Sequence, residues 1–115
     1  MTPNVTMAVY EKASTNSEVE SWNRVGTIRA KIRTLTAGQS LNESAARLDD
    51  RRITHDVICR WDDTLIVAGR IVVREPGHHQ YRIMHAVEYG EALRDARARY
   101  MRVLLSEERY TVVPQ

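Results

Sequence analysis

The most constraining feature of this sequence is a strict alternation of apolar and basic residues within residues 22–36. Three apolar residues on one parity alternate with three basic residues on the other: Ile28, Ala30 and Ile32 against Arg29, Lys31 and Arg33. Successive side chains of a strand point to opposite faces, so the pattern predicts a strand with one face in a core and the other in water. A helix would instead scatter the arginines around its axis.

Other segments also have strand character. Residues 5–11, 53–61 and 80–88 alternate with period two. Residues 65–74 are apolar and rich in β-branched side chains, but Gly69 interrupts them. This interruption predicts two short strands, or one strand bent at a bulge.

Residues 91–105 are compatible with either a helix or a strand, because their apolar residues satisfy both periods. We favour a turn over residues 91–98 and a strand over residues 99–107.

Two segments interrupt the strands. Residues 12–21 are polar and aperiodic, which predicts an exposed loop. Residues 34–52 form a longer insertion, in which Ser40 and Glu43 have the spacing of a helix capping box. A short helix over residues 41–49 is therefore predicted inside the insertion.

The number and length of these segments indicate the fold class. A chain of 115 residues fits one domain, spanning residues 1–115. We predict an all-β, mainly antiparallel fold, which is a small barrel or sandwich of five to six strands with one short helix or long loop insertion.

The charge balance narrows the function classes. Seventeen basic residues face fifteen acidic ones, for a net charge of +2, whereas a dedicated nucleic-acid binder usually has a larger basic excess. Fifteen of the basic residues are arginine, which favours contacts with carboxylates or phosphates, although a GC-rich genome would give the same bias. We find neither a signal peptide nor a stretch of transmembrane length, and the lone Cys59 implies a protein without internal disulfides.

No residue pattern indicates catalysis, a metal or a cofactor. His78 and His79 are adjacent, but no Cys-x-x-Cys or His-x-x-x-His spacing supports a metal site. His55 and His85 fall on strand parities predicted to point inward, and Cys59 falls mid-strand on an apolar face without a neighbouring base. We therefore expect a protein that is not an enzyme and has no cofactor.

Binding residues are easier to nominate. Tryptophan and arginine are enriched at protein-binding hot spots, which nominates Trp22 and Trp61, with core packing as the alternative for each. Arg97 and Arg99 belong to a basic run that Glu91 and Asp95 interrupt, which favours an interface over a phosphate-binding stripe.

The order of several motifs resembles the head-closure (head–tail connector) proteins of tailed bacteriophages. Residues 22–32 match the family's Trp-x-x-Val-x-Thr-x-x-Ala-x-Ile segment, and residues 38–46 resemble its Ser-Gly-x-Glu segment, with Ala37-Gly38 in place of Ser-Gly. Residues 54–61 resemble its His-x-Val-x-Ile-Arg-Tyr strand with Cys59 before the arginine, and residues 81–87 its Tyr-x-Ile-x-x-Val strand. A last strand at residues 101–108 completes a resemblance that begins near residue 5.

The resemblance implies a β-barrel subunit of a ring, a hexamer or dodecamer, at the head–tail interface of the virion. Such a ring lies below the portal and adaptor, retains packaged DNA with non-specific contacts, and docks a tail-terminator or tail-completion protein. The subunit would assemble in the host cytoplasm, without a membrane. The insertion at residues 34–52 is then the expected functional loop, which adds these candidate interaction residues: Gly38, Leu41, Glu43, Arg51 and Arg52.

Two alternatives remain at this point. The chain could be another connector component, an adaptor or a tail-completion protein. It could also be a small nucleic-acid-binding β-barrel that uses its arginines.

Overall fold

The computed structural model describes residues 3–13, 21–35, 53–75, 77–88 and 99–114. Within them lie six strands: β1 (Val5–Lys12), β2 (Trp22–Thr34), β3 (His55–Arg60), β4 (Ile71–Glu75), β5 (Gln80–Glu88) and β6 (Tyr100–Glu107). All neighbours are antiparallel, and the order β1-β2-β3-β6-β5-β4 closes into a barrel when β4 pairs with β1. The predicted all-β antiparallel fold is confirmed, as a barrel.

The alternating apolar residues fill the barrel interior. Met7, Val9 and Val57 are at most 1 % exposed and belong to one core cluster with Ile83 and Leu105. Ile28 and Ala30 of β2 join the same core, whereas Arg29 and Lys31, which alternate with them, are exposed. The prediction that β2 turns one face to the core and the other to water is confirmed.

The segment around Gly69 differs from the prediction. Residues 62–69 form turns, and only Ile71–Glu75 is a strand, so neither two strands nor one long bent strand occupies residues 65–74. Gly69 has a φ of 93°, a left-handed conformation that glycine adopts without steric cost and that ends the turn region. Of the β-branched residues in this segment, Ile71, Val72 and Val73 pair within β4, whereas Ile66 is buried without strand pairing.

The predicted inward position of His85 is wrong. The β5–β6 register shifts between Ile83 and His85, so that Ile83 pairs with Leu105 and His85 with Leu104. This irregularity reverses the parity, and Ala86, not His85, packs against the core.

Parts of the barrel's outer surface are also covered. Ile71 and Val73 form an outer cluster with Val113 from the C-terminal segment, and Leu35, Ile53 and Leu104 form another. The expectation that outward faces lie in water therefore fails at these two places, because chain outside the strands packs onto them.

Several predictions fall outside the described residues. These are the helix at residues 41–49, the turn at residues 91–98, and most of the segments 12–21 and 34–52. The described residues contain no helix, so none of them forms a helix long and apolar enough to cross a membrane.

Candidate functional site

Two of the nominated residues, Trp61 and Arg99, lie against each other. The Arg99 guanidinium carbon is 4.2 Å from the centre of the Trp61 ring, a cation–π distance. Trp61 follows β3 and Arg99 precedes β6, and the antiparallel pairing of these strands brings the two residues together. The Trp61 backbone N–H donates to the Arg99 carbonyl over 2.8 Å, and Arg99 Nε donates to Glu88 Oε1 over 3.1 Å.

A surface pocket of about 420 Å³ opens beside this pair. Besides Trp61, its walls include Tyr100, Arg29 and Arg60, while Cys59 contributes from β3. Arg29 and Arg60 are exposed, and among the described residues neither has an ion-pair partner. We call the pocket, Trp61, Tyr100 and these two arginines the rim site.

The turn after β3 fixes one wall of the rim site. Asp62 Oδ1 accepts hydrogen bonds from the Thr64 hydroxyl at 2.8 Å and from the Thr64 and Leu65 N–H groups. The Thr64 hydroxyl bond is the main cause of a lowered Asp62 pKa. Arg70 ties the same turn from outside by donating to the Thr64 and Leu65 carbonyls.

The chemistry of the rim site suits recognition rather than reaction. Burial is the main reason that the pKa of the Cys59 thiol rises to about 11, so the thiol stays protonated and is a poor nucleophile. No group of three or more His, Cys, Asp or Glu within the described part of the chain is arranged to hold a metal. An aromatic surface beside two exposed guanidiniums, neither of them ion-paired within the described part of the chain, can instead bind a partner's carboxylates or phosphates together with an apolar group.

A second groove, of about 630 Å³, lies at the opposite ends of β3 and β6. It is lined partly by His55, whose ring meets Tyr81 edge-on at 4.8 Å and whose Nδ1 is 2.9 Å from the Thr54 hydroxyl. Burial is the main cause of a lowered His55 pKa and of a raised Tyr81 pKa. Glu107, Glu108 and Arg109 also line this groove, so acidic charge outweighs basic charge there, whereas the rim site has two arginines and one aspartate.

Asp56 was missed by the sequence reading. Its side chain is 2 % exposed on the outward face of β3, where Arg33 contacts both carboxylate oxygens and Arg102 Nε lies 2.7 Å from Oδ2. Burial disfavours the carboxylate, but the hydrogen bonds from the two arginines outweigh it and lower the Asp56 pKa. The available signal was a single carboxylate in β3, next to the apolar Val57 and Ile58.

The remaining candidates lie apart. Trp22 packs with the outer cluster of Ile71, Val73 and Val113, consistent with the packing alternative weighed for it. The other six fall outside the described residues: Gly38, Leu41, Glu43, Arg51, Arg52 and Arg97.

No protein-family model matches the chain, and no curated protein matches it.

Proposed function

We propose that this chain is a non-enzymatic virion subunit that forms a ring at the head–tail junction of a tailed bacteriophage, retains packaged DNA and docks the tail. The family resemblance of its motifs supplies the ring and its location. The observation that carries the interaction role is the rim site, where Trp61 is stacked by Arg99 beside the exposed Arg29 and Arg60, which have no ion-pair partner among the described residues.

The rim site has the composition of a protein-binding hot spot. Trp, Tyr and Arg dominate binding energy at interfaces, because they bury large areas and retain polar handles. Stacking on Arg99 and the backbone bond to its carbonyl hold Trp61 before any partner arrives, which lowers the entropic cost of binding.

The charges of the rim site favour an acidic partner surface. Rings of identical subunits use heterologous contacts, in which one patch meets a different patch of the neighbour. Arg29 and Arg60 would pair with carboxylates across such a contact, and this pairing would fix its register. Docking on an assembled platform would add avidity, so the subunit is expected to be a monomer or a weak oligomer alone.

The test is an assembly experiment in a phage that lacks this gene. Heads made without the protein should lose DNA and fail to accept tails, and the wild-type protein should restore both. Charge reversal by Arg29→Glu with Arg60→Glu should abolish restoration and Arg29→Glu alone should weaken it, whereas Lys31→Glu, a single reversal at another exposed residue of β2, should restore both normally. Heads that keep DNA and join tails without the protein would refute the proposal, and copurification with tails alone would favour a tail-completion role.

A second candidate, nucleic-acid binding, draws on the same residues. Bases stack on aromatic side chains while guanidiniums hold phosphates, and Trp61 and Tyr100 line the same pocket as the exposed Arg29 and Arg60. A filter-binding titration separates the two functions. Affinity for oligonucleotides that falls steeply with salt and is lost in Arg29→Glu with Arg60→Glu would favour nucleic acid over a protein partner.

A further inference from the structure

The C-terminal segment after β6, residues 108–114, crosses β5 and packs on the outside of β4; we call it the C-terminal strap. Val113 is 2 % exposed and contacts Ile71 and Val73, with Val112 beside them. Arg109, Tyr110 and Thr111 between β6 and this contact are exposed, Tyr110 by 84 %. A short exposed link thus joins the strap to the barrel, and the end of the strap packs on a separate apolar patch, which we call its seat.

The side chain of Gln80 forms hydrogen bonds with the backbone of the strap. Gln80 is 5 % exposed, and its Oε1 accepts from the N–H groups of Val112 and Val113, each over 2.9 Å. Its Nε2 donates to the Val113 carbonyl over 2.8 Å. Since these bonds engage only backbone, the seat recognises an extended segment with an apolar residue at the Val113 position, whichever chain supplies it.

The seat also contains a polar atom without a partner. Trp22 packs beside Val112 and Val113, and its indole Nε1 is buried with no acceptor among the described residues. A buried donor is normally paired. This donor belongs to the groove formed by Tyr10, Trp22, Ile71, Val73 and Gln80, which we call the outer groove, and its surroundings are the same whichever copy supplies the strap.

We propose that the outer groove is an exchange site, which the C-terminal strap of a second copy of this chain occupies in the assembled ring. Exchange replaces each intramolecular contact by the same contact between copies, so it costs little and links each subunit to its neighbour head-to-tail. Residues 108–111 span at most roughly 14 Å when extended. The neighbouring barrel must therefore lie in direct contact, which places the exposed Tyr110 at the junction. This inference rests on the proposed ring.

Disulfide trapping tests the exchange. Val73→Cys and Val113→Cys are made in separate full-length chains, one carrying a mass tag, and the two are mixed at high concentration with an oxidant. Cys59 does not compete, since it is 1 % exposed and its thiol pKa is raised to about 11. We expect a mixed dimer linked by a disulfide, which oxidation accumulates even if exchange is rare.

The double variant Val73→Cys with Val113→Cys calibrates the geometry. If it forms an internal disulfide while the mixture gives no mixed dimer, exchange is overturned. If the double variant forms no internal disulfide, binding of a labelled peptide of residues 107–115 tests the exchange instead. The peptide should bind the full chain carrying Val113→Asp, because the strap of that chain no longer fills the outer groove. Its affinity should be at least tenfold higher than for the same chain with Gln80→Leu added. Absence of binding overturns the proposal.

Ring assembly is scored separately in these variants. Val113→Asp subunits that form normal rings on heads would leave the proposed function intact and refute the exchange. If disulfide trapping gives a mixed dimer but heads retain DNA and join tails without the protein, the exchange is supported and the virion role is refuted.

Discussion

Arg102 on β6 and Asp56 on the neighbouring strand β3 form a hydrogen-bonded ion pair, with 2.7 Å between Arg102 Nε and Asp56 Oδ2, on the outside of the barrel. Arg33 on β2 completes the arrangement, so one buried carboxylate joins three adjacent strands. The Asp56 side chain is 2 % exposed, and its solvation is replaced almost entirely by the two guanidiniums.

Removing this carboxylate should destabilise the barrel strongly. Asp56→Asn keeps the shape but removes the charge that Arg33 and Arg102 pair with, and breaking a buried pair in this way costs about 3 kcal/mol. Urea denaturation at pH 7 measures the loss. Asp63→Asn, at an exposed turn, is the matched control and should change the free energy of unfolding by less than ~0.5 kcal/mol. Equal effects of the two variants would show that the Asp56 ion pairs contribute nothing.

The same group predicts the acid sensitivity of the fold. Because the Asp56 pKa is lower in the folded protein than its ordinary value of 3.8, its stabilisation is present above that value and is lost as the pH falls through the lowered pKa. The wild-type unfolding free energy should therefore decline below about pH 4. The Asp56→Asn protein should show a shallower decline in the same range, measured by denaturation at several pH values. Parallel curves for the two proteins would contradict this assignment.

The alternation in the sequence predicted the strands because it records which face meets the core. The bounds of β2 and β5 are predicted nearly to the residue, because both strands are long and alternate between apolar and polar residues. The pairing of Trp61 with Arg99 was not predictable, because it depends on β3 and β6 being neighbours although about forty residues of sequence separate them. Each residue was nominated on its type alone.

The failures share a physical cause. One register shift in β5 reverses the faces of His85 and Ala86, and period-two counting cannot detect a residue that does not pair. Asp56 and Val113 are buried on the outside of the barrel by groups far away in the sequence, so local pattern gives no sign of their burial.

Cys59 should be inert in the native protein. It is 1 % exposed, and burial is the main reason that its pKa is raised to about 11, so thiolate is scarce at pH 8. Labelling with a chromogenic disulfide reagent at pH 8 should then proceed only at the rate of unfolding and accelerate in urea. A Ser21→Cys variant, which adds an exposed thiol, should label its second cysteine at once and shows that the reagent is active.

Gly26 should tolerate side chains only if Leu65 gives way. A Cβ added at Gly26 would lie 2.7 Å from Leu65 Cδ1, closer than van der Waals contact. Gly26→Val is expected to cost about 2 kcal/mol by overpacking. Adding Leu65→Ala should recover about 1 kcal/mol relative to the sum of the two single effects, which a double-mutant cycle measures. Strict additivity would show that Leu65 does not limit this position.

Arg99 should matter more for assembly than for folding. Its side chain is 55 % exposed, and an exposed cation–π contact contributes about 0.5–1 kcal/mol, so Arg99→Ala should leave a folded barrel with a small loss of stability. Without the guanidinium, Trp61 keeps its backbone bond and its packing against the core but loses the stacking partner on its ring. We expect incorporation into heads to fall at least tenfold in competition with the wild-type chain. Glu88→Gln is the matched control, because it removes the ion pair of Arg99 and leaves the stacking on Trp61. Incorporation that falls equally in Glu88→Gln would assign the effect to the ion pair, and normal incorporation of Arg99→Ala would remove Arg99 from the interface.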